Sequence, residues 1–144
     1  MPTPAEMLNP DIHKLRAARA WAQAYNSFDI ADLEPLIDTK FSYTSMWVLG
    51  DLEGRDAYLD YLRGKLETIR NGDSSVVAEV AETRRYPMYQ MPEEPYVYAR
   101  QEGDEQTVEA VVLFTTNTDG SISKIVMTGI PIPVTVLRNG DIPR

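Results

Sequence analysis

FSYTSMWVLGDLEGRDAYLDYLRGKLETIR, residues 41–70, joins a half-buried strand to an amphipathic helix through a turn marked by glycine. Alternation from about Phe41 to Leu49 puts Phe41, Tyr43, Ser45 and Trp47 on one side and Ser42, Thr44, Met46 and Val48 on the other, so one of these sides lines the interior. From about Arg55 to Arg70 the period becomes helical. Tyr58, Leu59, Leu62, Leu66 and Ile69 share an inward face, and Asp56, Asp60, Arg63, Glu67 and Arg70 an outward one. Burying each large inward side chain contributes on the order of 1.5–3 kcal/mol before the entropy of ordering is subtracted. Gly72, after Asn71, is read as a left-handed helix stop.

Toward the amino terminus, Asn9 as N-cap, Pro10 in the first helical position and Asp11 near the positive end of the dipole predict a helix running to about Ser27. Its apolar face is Ile12, Leu15, Ala18, Trp21, Ala22, Tyr25 and Phe28. A short second helix is expected in DIADLEPLIDTK, with Asp29 or Asp32 as cap, Pro35 in the first turn and Leu33, Leu36 and Ile37 buried. Beyond Ser75 the period is two. SSVVAEVAETRRY, EPYVYARQEG, QTVEAVVLFTTNT and SISKIVMTGI, separated in part by Gly103-Asp104 and Asp119-Gly120, predict a four-stranded antiparallel meander. The long connection from Pro87 to Pro95 is either a lid or a plain connector. The expected division is a tail over 1–9, one domain over 10–130 and an extended proline-containing tail over 131–144.

A chain of 144 residues, 43% hydrophobic, fits one globular domain. Fourteen Lys and Arg against 22 Asp and Glu give a net charge of -8, a field that repels phosphate backbones and anionic lipid surfaces; no nucleic acid and no membrane are expected as partners. The absence of cysteine and the single histidine, His13, speak against disulfides, thiolate chemistry and a metal site. No basic segment followed by an apolar stretch opens MPTPAEMLNPDIHK, and the expected location is cytoplasmic.

This order of elements resembles the nuclear transport factor 2-like superfamily, including its SnoaL-like and ketosteroid isomerase-like branches, over roughly residues 10–130. FDIADLEPLID resembles the family's short second helix, FSYTSMWV its first strand, LEGRDAYLDYL its Gly-Arg lead into the long helix, and DGSISKIVMTGI its closing strand. The resemblance implies an α+β cone, a cystatin-like roll in which a curved, mainly antiparallel sheet wraps a long helix around an apolar cavity. It leaves the reaction open, since this fold carries isomerases, dehydratases, cyclases, hydrolases and binding modules.

Ketosteroid isomerases use a carboxylate base with a tyrosine and a protonated carboxylic acid as oxyanion donors. The resemblance puts the oxyanion position near Trp21 and the base near Thr44, so the isomerase residues are missing here; Tyr25 stands in for the donor and nothing for the base. Scytalone dehydratase-like chemistry wants a histidine in the cavity, whereas His13 belongs to the first turn of the first helix as a solvated or capping residue. Limonene epoxide hydrolase-like chemistry needs an Asp-Arg-Asp arrangement. Arg100 and Glu102 share a strand face with Tyr98, with Glu109 on the next strand, a possible acid-base group for which a solvent-facing charge pattern is the plainer account. Glu79 and Thr83 share one face and Glu82 and Arg84 the other, as cross-strand ion pairing would require.

Trp21, Tyr25, Tyr43, Trp47, Tyr58 and Tyr98 are candidate walls of one aromatic cavity for a small apolar or aromatic molecule, with core packing as the plainer account of many of them. Val108, Ala110, Val112 and Phe114 alternate with Val111 and Leu113, so both faces of that strand are apolar and a homodimer through the sheet face is expected. The leading reading is therefore a small-molecule binding domain without cofactor or metal. One alternative is a cofactor-independent SnoaL-like enzyme, of isomerase, cyclase, dehydratase or epoxide hydrolase type, using Tyr25, Tyr43, Arg100 and Glu102 or Glu109. A second is a structural or assembly module whose cavity is filled by its own side chains.

Overall fold

The computed structural model describes residues 12–46, 50–83, 95–103, 106–129 and 136–144. Helix α1 (Ile12–Ser27) buries Ala18, Trp21, Ala22 and Tyr25 as its spacing requires, and Ala17, Ala20 and Ala24 in addition. The extra burial has a local cause. These small side chains let the helix lie between the sheet and the end of the chain, where Arg19 pairs with Asp141 and the Asn26 carboxamide donates to the Pro143 carbonyl at 2.7 Å. Phe28 leaves the expected apolar face and is 38% exposed, because it follows the last helical turn at φ 58 and no longer obeys the helix period. The expected cap at Asn9 lies outside the described residues.

The expected second helix shortens to a 3₁₀ turn, Glu34–Leu36, containing Pro35. Asp29 accepts from the Ala31 N–H at 2.9 Å, and strand β1 (Ile37–Ser45) has begun where the sequence continued the helix. Burial explains the early start: Ile37 is enclosed as a strand residue opposite Ile122, with an irregularity in register before Ser42. Phe41, Tyr43 and Ser45 face inward, as the alternation predicted.

Strand β2 (Leu52–Glu53) pairs antiparallel with β1 and leads through Gly54 into helix α2 (Arg55–Asn71). Gly54 sits at φ 94, ψ 151 and donates its N–H to Phe41 at 2.6 Å. That backbone conformation is nearly restricted to glycine, which is why the helix is led by Gly-Arg. The buried face of α2 is Tyr58, Leu59, Leu62, Leu66 and Ile69. Gly72 is not the left-handed stop that was expected. It is extended at φ -93, and its N–H closes the last turn on Ile69 at 3.3 Å.

Strands β3 (Ser75–Thr83), β4 (Tyr96–Glu102), β5 (Thr107–Thr116) and β6 (Ile122–Gly129) form the antiparallel meander. Two pairings extend it beyond the local pattern. β1 joins β6 in parallel, and β7 (Val136–Asp141), within the segment read as an extended tail, pairs antiparallel with β3. The seven-stranded order is β2-β1-β6-β5-β4-β3-β7. The result is the expected α+β cone. Val80, Val97, Val112, Phe114 and Ile125 belong to the inner core with both helices, while Ala81, Tyr96, Tyr98 and Val111 form a separate apolar cluster. Among the described residues, no helix is long and apolar enough to cross a membrane.

Candidate functional site

Trp21 and Tyr25, one turn apart on α1, stack with ring centroids 3.9 Å apart at 20°. The Trp21 indole N–H donates to the Tyr58 hydroxyl at 3.1 Å, and the Tyr58 ring lies 4.7 Å from Phe41 and 4.9 Å from Tyr43. Tyr43 and Tyr58 are thereby core, each 1% exposed. Trp21 and Tyr25 are buried in the same core and also form one wall of a cavity of about 240 Å³ under the helices. Ala99 and Ala110, register partners on β4 and β5, form the opposite wall with Val76, Val108 and Met127. Gln101 and Lys65 supply the remaining polar lining. The space exists because two neighbouring strands carry methyl groups where larger side chains would meet the aromatic rings. Of this lining only Trp21 and Tyr25 were expected as cavity walls from the sequence; Lys65, Gln101, Val76, Val108 and Met127 were missed, as were the alanines. Their only sequence signal was that both lie at alternating positions of predicted neighbouring strands.

Burial pushes the Tyr25 phenol well above its ordinary value, with smaller contributions from Tyr58, Tyr43 and Tyr61. Burial likewise raises Tyr43 and Tyr58. A desolvated phenol stays protonated at neutral pH and acts as a hydrogen-bond donor, not as a base. Among the described lining residues there is no carboxylate to act as base in its place.

The other candidates occupy the opposite face of the sheet. Tyr98 donates to Glu109 at 2.9 Å, Arg100 pairs with Glu102 at 2.8 Å, and the Arg138 guanidinium lies 5.0 Å from the centre of the Tyr98 ring. Arg138 also clamps Glu79 with two hydrogen bonds, at 3.1 and 3.2 Å, beside the Gly140 N–H at 3.3 Å. Thus Glu79 is cross-strand paired, and its partner comes from β7. Burial first, then the hydrogen bond to Glu109, raises Tyr98. Glu79, Tyr98, Arg100, Glu102 and Arg138 border a separate depression of about 170 Å³. Tyr98 therefore does not share a wall with Trp21 and Tyr25. Neither do Arg100, Glu102 and Glu109 approach Tyr25 or Tyr43, because side chains alternate across a strand and the whole sheet lies between. Trp47 lies outside the described residues. His13 packs against the turn at Gly120, in a crevice shared with Arg16 and Asp119.

Compared by sequence, the chain matches no family model and no curated protein. Compared by structure, it matches an LEH-like epoxide hydrolase of M. tuberculosis with TM-score 0.56 and 12% identity over 82% of this chain and 83% of that one. A SnoaL-like protein of unknown function from Burkholderia thailandensis matches with TM-score 0.54 and 19% identity over 78% and 90%. The fold is nuclear transport factor 2-like. A steroid delta-isomerase from Pseudomonas aeruginosa shares this nuclear transport factor 2-like fold with TM-score 0.52 and 14% identity over 81% and 82%. At such identities the likeness concerns the fold, and chemistry has to be argued from the cavity.

Proposed function

We propose that this nuclear transport factor 2-like domain binds a small, mostly apolar organic molecule in the cavity between α1, α2 and the inner face of the sheet. The observation that carries the reading is the cavity itself: stacked Trp21 and Tyr25 face Ala99, Ala110, Val108 and Met127 across about 240 Å³. Flat apolar ligands gain most from such aromatic walls. Binding is favoured over acid-base catalysis because the carboxylates considered for catalysis belong to the outer face.

Trp21 reports on occupancy. A small naphthalene derivative is expected to change tryptophan emission on titration, and Trp21→Phe is expected to remove that response while Trp47 still emits. Ala110→Phe fills the cavity and is expected to weaken binding at least about tenfold, or about 1.4 kcal/mol. Unchanged affinity in Ala110→Phe would place the ligand elsewhere.

The outer sheet face supports a second proposal, a homodimer. Tyr96 and Val111 are already buried within one chain, but Val77 remains 39% exposed and Leu113 half-buried beside the charged groups of β4 and β5. An interface there combines apolar contact with ion pairs. Sedimentation is expected to give a dimer mass that Leu113→Arg converts to monomer; a monomer mass for the unaltered protein at micromolar concentration refutes it.

A further inference from the structure

We infer that the ligand of this cavity is an organic carboxylate, with its apolar body against Trp21 and Tyr25 and its carboxylate held by Lys65. The inference rests on the binding reading above and specifies its chemistry. The polar lining of the cavity contains one cation and, among the described residues, no acid. It includes Lys65, Tyr25 and Gln101, whose amide N–H already donates to Ser74 at 3.2 Å. Trp21 adds no free donor, since its indole N–H is taken by Tyr58.

Lys65 is one of several cations without a carboxylate partner among the described residues, with Lys40, Arg70 and Lys124, and of these it is the one in the cavity lining. Acids outnumber bases 22 to 14, and Arg19, Arg55, Arg63, Arg100 and Arg138 each meet a carboxylate. Lys65 meets none among the described residues; its recorded contact is the Tyr61 ring, with the ammonium 5.9 Å from the centroid. One turn away on α2 in either direction stand Tyr61 and Ile69, neither of which can neutralise it. A half-buried cation in the lining, without an acidic partner there, offers a charge-assisted hydrogen bond to an anion that enters with the ligand. The phenol of Tyr25 stays protonated and can add a hydrogen bond to the same oxygen atoms. The volume of about 240 Å³ lies below the roughly 300–1,000 Å³ of sites for drug-sized molecules, which points to a body of one or two rings.

The test compares 2-naphthoate with its methyl ester, whose ring system is the same and whose charge is removed, by calorimetric titration of the full chain at neutral pH. The unaltered protein is expected to bind the acid at least tenfold more tightly than the ester. Lys65→Met keeps a helix-favouring side chain of similar length and is expected to abolish that preference by weakening the acid alone; Lys65→Arg is expected to keep it. Equal binding of acid and ester by the unaltered protein overturns the carboxylate assignment while leaving the apolar cavity reading in place. A preference that survives in Lys65→Met overturns the role of Lys65. If neither probe binds, the cavity reading fails, and this inference with it.

Discussion

Arg138→Met is expected to lower the unfolding free energy by about 2–3 kcal/mol, because it strands a carboxylate that the fold has taken out of water. Glu79 is 3% exposed, and its carboxylate receives two hydrogen bonds from the Arg138 guanidinium and one from the Gly140 N–H. Hydrogen bonding to Glu79 is the main reason that the Arg138 guanidinium is held above its ordinary value. Removing a partner from a fully buried pair costs more, about 3–5 kcal/mol. Arg138 is 53% exposed, so water screens the pair and supplies part of the lost solvation, which sets the lower figure. Replacing both residues, Glu79→Met with Arg138→Met, is expected to recover most of the loss, since no uncompensated charge remains. Urea denaturation of the two single variants and the double variant measures the coupling. A loss under about 0.5 kcal/mol in Arg138→Met, or a double variant no better than the single, would refute a buried pair that locks β7 onto β3.

Asn26→Ala is expected to cost about 2–3 kcal/mol, for a different reason. The Asn26 carboxamide accepts from the Ala78 N–H at 2.8 Å and donates to the Ala78 carbonyl at 2.8 Å, completing both backbone groups of one strand residue as a neighbouring strand would. The β3–β7 pairing runs from Val80 to Thr83 and does not reach Ala78, so the side chain stands where a ladder is missing. Its amide also donates to Pro143 at 2.7 Å and fastens the chain end over α1. Alanine leaves these groups without partners. Asn26→Asp is not expected to rescue the loss: a carboxylate still accepts from the Ala78 N–H but faces the Ala78 and Pro143 carbonyl oxygens with no proton to offer. Hydrogen exchange should show the Ala78 amide losing protection selectively in Asn26→Ala. If Ala78 remained as protected as its neighbours on β3, the side chain would not be its partner.

Neither residue announced itself in the chain. Asn26 reads as a polar residue near a helix end, a common place for asparagine, and its partner is a backbone far away in sequence. The partner of Glu79 lies in a segment read as an extended tail. What fails in both cases is range, since pairing across many residues leaves no periodic trace. Tyr98 failed for another reason. Tyr96 and Tyr98 on one side of β4 and Val97 and Ala99 on the other are all buried, so hydrophobicity did not distinguish the two faces, and a change of parity carries every residue across the sheet.

The sequence by itself determined the two long helices, the meander strands and which residues of each share a face, because those depend on periods of 3.6 and two that neighbouring residues carry among themselves. With them came the buried face of α2 and the proximity of Trp21 to Tyr25, while the cone was implied by the resemblance to the nuclear transport factor 2-like superfamily. Only the tertiary structure decided which face of each strand is inside, that β1 runs parallel to β6, and that the terminal segment closes the sheet as β7. It also decided that Tyr43 and Tyr58 are core while Ala99 and Ala110 leave a cavity beside Trp21 and Tyr25. A cavity is a property of side chains that meet across the interior, and its volume is set by what faces what.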